Sequence, residues 1–119
     1  MALRLVAELR SGYHKQTKNI LHDAETNRKC CLGVACWMKY QNIYSTAIWN
    51  GRVRYSHQDT SMDDITIDQF GFYDSMGSRR DGERLIIGQG AYESLAMAND
   101  NGCSFEEIAD YIEANWESL

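Results

Sequence analysis

The sequence predicts an α+β fold. It forms one compact domain over residues 1–119, with a small antiparallel sheet of hairpins packed by about four helices from both ends of the chain. Three observations predict it. Apolar residues recur at helical spacing near both termini and in the Cys30–Met38 stretch. Asn50-Gly51 stands between two short alternating runs, as the tip of a type I′ hairpin does. Ser104 and Glu107 form a capping box in front of an amphipathic run.

Taken in order, Leu3, Val6 and Leu9 define a first helix over about 2–11, stopped by Gly12. A polar stretch follows, and residues 18–31, turn-rich between Asp23 and Asn27, read as a short β-hairpin. Cys31, Val34, Ala35 and Met38 at i, i+3, i+4, i+7 give a buried helix over about 31–41. Gly33 costs that helix stability, which close backbone packing explains. After Asn50-Gly51, Val53 and Tyr55 share one face of a strand and Arg52 and Arg54 the other.

Ser61 and the Asp63-Asp64 pair suit a helix start, since acids are favourable at its positive end. Ile65, Ile67 and Phe70 form a weak apolar face there, and Gly71 ends it. Residues 72–78 and 83–87 read as two strands around Ser78–Gly82. Gly88 and Gly90 then break the chain before a helix over about 91–98, with Ala91, Leu95 and Ala98 inward. In the last helix Phe105, Ile108, Ala109, Ile112 and Trp116 form the core stripe, and Glu106, Asp110, Glu113 and Glu117 the polar face.

A chain of 119 residues suffices for one modest core. Seven Tyr, three Trp and three Phe argue against disorder. Neither a signal peptide nor an apolar run of membrane-spanning length is found, so a cytosolic location is the expectation. Cys30, Cys31, Cys36 and Cys103 fit neither C-x-x-C nor a zinc-finger spacing and are expected to be reduced, buried thiols. No metal or cofactor is expected.

The net charge of −5 is unevenly placed. Residues 91–119 hold seven acids and no Lys or Arg, while residues 1–90 hold all twelve bases and ten acids. The total counts against duplex DNA, which asks for a basic footprint. The Gly102–Ala109 stretch also has the look of the second helix of a helix-turn-helix, but Glu106, Glu107 and Asp110 at its exposed end would repel phosphates.

Catalytic signatures are missing. His14, His22 and His57 form no H-x-x-x-H and are read as surface or locally bonded groups. No P-loop, G-x-S-x-G or H-E-x-x-H occurs, and the acid pairs have helix-start explanations. What stands out is a basic and polar set in the loops. Lys15, Gln16, Lys18, Arg52, Arg54, His57, Arg79 and Arg80 suit phosphate, with Tyr13 and Tyr55, and also Tyr73, as stacking platforms for a base. The competing reading is ordinary solubilising charge.

Three motifs carry a family resemblance. They are Leu9-Arg10-Ser11-Gly12-Tyr13-His14-Lys15-Gln16, Cys30-Cys31-Leu32-Gly33-Val34-Ala35-Cys36, and the run from Asn99 to Glu113. The chain resembles a family of small proteins encoded by tailed bacteriophages, whose opening motif reads LRSG-x-Y-x-Q; the tyrosine here comes one place early. The resemblance spans both ends and about a third of the chain. It implies a phage setting: a non-structural accessory protein in the host cytoplasm.

The leading expectation is therefore an accessory protein that binds, most concretely a counter-defence protein sequestering a nucleotide-derived anionic signal. A second is an acidic inhibitor of a host protein, using the C-terminal face. A third is a small nucleotide-processing hydrolase with one of the histidines as base. No membrane partner is expected.

Overall fold

The computed structural model describes residues 2–40 and 46–119; the expected last residue of the second helix, 41, lies outside them. Five helices and two hairpins form the described α+β domain. Helix α1 (Ala2–Arg10) buries Leu5, Val6 and Leu9 chiefly against α5 (Phe105–Asn115), while Leu3 is exposed. Helix α2 (Cys31–Tyr40) is buried all round from Cys31 to Cys36, as befits a central helix touching α1, α3 and α4. A Cβ on Gly33 would lie 1.7 Å from the Leu21 carbonyl oxygen, so the backbones meet there and only glycine fits.

Residues 18–31 form only the rudiment of the expected hairpin: a single antiparallel bridge joins His22 to Lys29, with Asp23 N donating to Arg28 O at 2.8 Å across a turn that left-handed Asn27 (φ 59°) completes, and no strands extend from it. Isolated bridges hold the loop instead. Lys29 N donates to Lys15 O and Thr17 N to Lys29 O, both at 2.8 Å, and Cys30 N donates to Leu21 O at 3.0 Å. Asp23 Oδ1 caps the turn, accepting from Glu25 N at 2.9 Å.

The Asn-Gly hairpin forms as expected, from β1 (Thr46–Trp49) and β2 (Arg52–Tyr55), with Ile48 opposite Val53. Asn50 (φ 50°) and Gly51 (φ 73°) supply the two positive φ angles of the type I′ turn. Helix α3 (Asp64–Phe70) starts after Asp63 and stops at left-handed Gly71. Phe70 is buried and Ile67 packs against the core as expected, but Ile65 is exposed and Thr66 is buried in its stead, its hydroxyl donating to Asp63 Oδ1 at 2.5 Å.

Residues 72–78 are not a strand. Asp74 Oδ1 gathers Met76 N (3.1 Å) and Ser78 N (2.9 Å) into a turn. Strand β3 (Leu85–Ile87) pairs with β4 (Gly90–Tyr92), the segment read as the opening of a helix. Ala91 is exposed there, opposite Ile86. Helix α4 is shorter, Leu95–Asp100, because Ser94 caps it by accepting from Met97 N at 3.1 Å. The capping box of α5 is present, with Glu107 N donating to Ser104 Oγ (3.1 Å) and Ser104 N to Glu107 Oε1 (3.0 Å). Phe105, Ile108, Ala109 and Ile112 are buried, but Trp116 is half exposed. The helix tightens into a 3-10 turn at Trp116–Ser118, and Leu119 fills the core instead. Leu119 O then accepts from Tyr73 N at 2.5 Å, tying the chain's end to the 72–80 loop.

Candidate functional site

The three sequence motifs meet at one buried amide, Asn99. Its Oδ1 accepts from Gln16 Nε2 (2.8 Å) and Cys31 N (3.1 Å), and its Nδ2 donates to Thr17 O (2.8 Å). Gln16 completes the joint by donating to Cys103 O (2.8 Å) and accepting from Phe105 N (3.2 Å). Each amide thereby makes at least three of its four possible hydrogen bonds, and α2, α4 and α5 are fixed to the post-α1 loop. Gln16, expected at a ligand, is a structural strut.

A second polar cluster lies nearby and went unrecognised in the sequence. His14 and His22 are buried, not at the surface. The ring of His14 meets Trp37 edge-on (4.8 Å between centroids) and bonds Glu8 Oε1 through Nε2 at 2.8 Å, while its Nδ1 is buried with no partner among the described residues. His22 bonds Tyr55 Oη through Nδ1 and Asn27 Oδ1 through Nε2, each at 2.7 Å. Lys29 is 1% exposed; its ammonium sits 5.6 Å from the Trp37 ring centre and reaches Asn27 O (3.5 Å) and Oδ1 (3.4 Å). Burial pushes both imidazoles and the Lys29 amine down from their ordinary values, with Lys29's charge adding to the effect on the histidines. No periodicity marks such residues, since polarity alone reads as exposure.

The ten expected site residues fall into three neighbourhoods. Tyr13, Lys15, Gln16 and Lys18 follow α1. Tyr13 is exposed and packs edge-on against His14 (4.8 Å), and Lys15 and Lys18 are exposed. On the β1–β2 hairpin, Arg54 lies over Trp49 (5.4 Å) and donates to His57 O (3.0 Å), Arg52 pairs with Asp59 (3.7 Å), and His57 is exposed. Tyr55 is 1% exposed with its hydroxyl on His22, so its ring is closed to a stacking base. Arg79 and Arg80 form the third neighbourhood. Arg79 is clamped by Asp81 (Nη2–Oδ2 2.5 Å, Nε–Oδ1 3.0 Å) and reaches Tyr111 Oη at 3.4 Å. That pairing raises the Arg79 guanidinium and holds Asp81 down at about 2. Arg80 donates to Gly71 O (2.6 Å) and lies 5.9 Å from the Tyr73 ring centre.

Two clefts frame the choice of site. One of about 460 Å³, beside Ser56, Ser61, Asp63, Asp64 and Ser75, has no Lys or Arg among the described residues of its wall. The other, of about 360 Å³, is lined by Tyr73, Ser78, Arg79, Arg84, Glu83 and Glu93. Arg84 and Glu93 flank the register pair Leu85–Tyr92 of the β3–β4 hairpin, and the 72–80 loop brings up Tyr73 and Arg79. Arg84, Glu83 and Glu93 have side chains free of hydrogen bonds and ion pairs among the described residues. The sequence marked Tyr73, Arg79 and Arg80 but not the hairpin residues, whose approach depends on a strand pairing it assigned elsewhere.

Residues 2–116 match the family described as Domain of unknown function (DUF8296). The chain belongs to that family. Neither a curated protein nor a solved structure matches it. The DUF8296 match covers all three motifs and the cleft alike. Within this domain the four cysteines are free and buried; burial raises the Cys30 thiol to about 11 and pushes Cys31 and Cys36 up as well, which leaves little reactive thiolate. Among the described residues no three His, Cys, Asp or Glu side chains gather as a metal site, and no helix is long and apolar enough to cross a membrane. On the acidic face of α5, Arg10 engages Asp110 (2.5 Å), Glu113 (2.9 Å) and Glu106 (3.4 Å), one positive charge shared among three carboxylates, so that face stays net acidic.

Proposed function

We propose that this chain is a phage-encoded accessory protein that acts by binding in the host cytoplasm, and that it captures a nucleotide-derived anion in the cleft beside Tyr73. The cleft is the observation that carries the reading. It joins an exposed aromatic ring, the Ser78 side chain and two guanidinium groups in one concavity of about 360 Å³, a size suited to a small ligand. Arg80 stacks on Tyr73; Asp81 holds Arg79 in a fixed pose while offsetting its charge, so Arg84, free of ion pairs among the described residues, is the guanidinium left to meet a phosphate. The phage setting rests on the three motifs and their resemblance. The rival readings are weaker on geometry. Arg10 neutralises part of the acidic α5 face, and none of the three histidines lines the cleft.

The test is calorimetric titration with mononucleotides and cyclic dinucleotides. Removing the Arg84 charge takes away a charged hydrogen bond of roughly 1.5–3 kcal/mol. Arg84→Ala should therefore lose about tenfold or more in affinity with the melting temperature unchanged. Absence of binding by every nucleotide, or equal binding by the variant, refutes the reading.

A further inference from the structure

The cleft contains two groups that a phosphate site does not want. Glu83 and Glu93 line it together with Arg79 and Arg84, and neither carboxylate is tied up by a hydrogen bond or ion pair from a described residue. A purely anionic ligand would be repelled by both. The acids become an asset only if the ligand carries an anionic end for the arginines and a donor-rich end for a carboxylate.

On this basis, and resting on the nucleotide reading above, we infer that the cleft selects guanine nucleotides. An ionised carboxylate is an acceptor with two parallel oxygens. Guanine presents N1–H and the N2 amino group side by side, so one carboxylate takes two in-plane hydrogen bonds from it. Adenine and cytosine each place a ring acceptor beside their amino group, and uracil flanks its single N–H with two carbonyls, so all three set an acceptor against the carboxylate. The Tyr73 ring supplies a stacking face for the purine, as aromatic platforms do for unpaired bases. Arg84, whose guanidinium is unpaired among the described residues, takes the phosphate with Ser78, while Arg79 stays paired with Asp81 beside them. Glu83 and Glu93 reach the cleft from the two arms flanking the β3–β4 hairpin, and Arg84 comes from the same arm as Glu83, so the acceptor for the base edge and the donor for the phosphate both belong to the hairpin arms.

The experiment compares GMP, IMP and AMP by titration calorimetry on the wild-type protein, Glu83→Gln and Glu93→Gln. Both glutamates are exposed, so the variants keep the fold, which their melting curves verify. The expected order is GMP over IMP over AMP, with GMP ahead of AMP by about tenfold or more. In at least one variant that preference collapses to within about threefold, because a glutamine amide both donates and accepts and no longer rejects adenine. AMP binding as tightly as GMP overturns guanine selection and leaves the nucleotide site standing. A GMP preference untouched in both variants overturns the role of the two carboxylates. No binding by any of the three defeats the nucleotide reading and this inference with it.

Discussion

Gly33 and Asn99 show how much of this fold hangs on single side chains. At Gly33 the missing Cβ is the feature that matters, since a methyl group would sit 1.7 Å from Leu21 O, an oxygen that also accepts from Cys30 N at 3.0 Å. Relief requires moving a backbone that is itself hydrogen-bonded. Gly33→Ala should therefore cost upwards of about 3 kcal/mol, at the severe end of overpacking, and a urea midpoint within 0.5 M of the wild type would contradict it. Asn99 is the opposite case, a side chain that cannot be removed. Asn99→Ala strands the Cys31 N–H, the Thr17 carbonyl and one Gln16 donor. The expected loss is about 3 kcal/mol or more, since each buried group left unpaired costs roughly 1–3 and three are stranded, the Cys31 N–H being the most deeply buried. Asn99→Asp should be nearly as damaging, because its second oxygen would face Thr17 O. If urea unfolding finds either variant as stable as the wild type, the joint has been misread. The residue type at 33 hinted at its role in the sequence, whereas nothing around Asn99 announced that three distant motifs would converge on it.

Elements were legible where the signal is local. Asn50-Gly51 and the Ser104–Glu107 box depend on neighbouring residues alone, and both stand as expected. The 85–100 region failed because Ala91 suits either a helix or an exposed strand position, and only the Ser94 cap and the pairing with β3 decide. Trp116 failed for a related reason: extending the α5 stripe ignores the change of pitch at the 3-10 turn. One turn was not anticipated at all. Tyr55 N donates to Gln58 O (2.8 Å) and Gln58 N to Tyr55 O (3.0 Å), with Ser56 (φ 49°) and His57 (φ 70°) both left-handed between them. This is the geometry that Asn-Gly favours and that most L-residues resist at about 1–2 kcal/mol each. Ser56→Asn/His57→Gly should raise stability by about 1 kcal/mol or more, seen as a higher melting temperature. A drop would mean that the Ser56 contact with Tyr40 Oη (3.3 Å) outweighs the relieved backbone.

At the scale of the whole molecule, charge and burial pull against each other. The sequence showed the uneven charge but not its consequences: Arg10 on the acids of α5, and His14, His22 and Lys29 enclosed together. The cleft was half visible for the same reason, Tyr73 and the Arg79-Arg80 pair being conspicuous while Glu83, Arg84 and Glu93 reach it through a strand pairing. The enclosed histidines make stability depend on pH. Burial lowers the pKa of both, against the pull of Glu8 on His14 and of Asn27 on His22. The folded chain thus stays neutral at these rings where the unfolded chain, near its ordinary value of about 6.5, takes up protons. The unfolded state binds more protons, so the histidines' share of the stability is fully present above about pH 6.5 and is lost as the pH falls through that value toward the lowered folded pKa values. Each histidine contributes at most about 1.4 kcal/mol per pH unit. Urea midpoints measured between pH 7.5 and about 5, before most carboxylates titrate, should fall steadily. His14→Tyr places at position 14 the residue that the resembled motif carries there, removes one titrating ring and offers Glu8 a hydroxyl in its place. It should flatten part of the slope, and His14→Tyr/His22→Gln should remove most of it. If the double variant, still folded, loses stability toward pH 5 as steeply as the wild type, the enclosed imidazoles are not the source of the acid sensitivity.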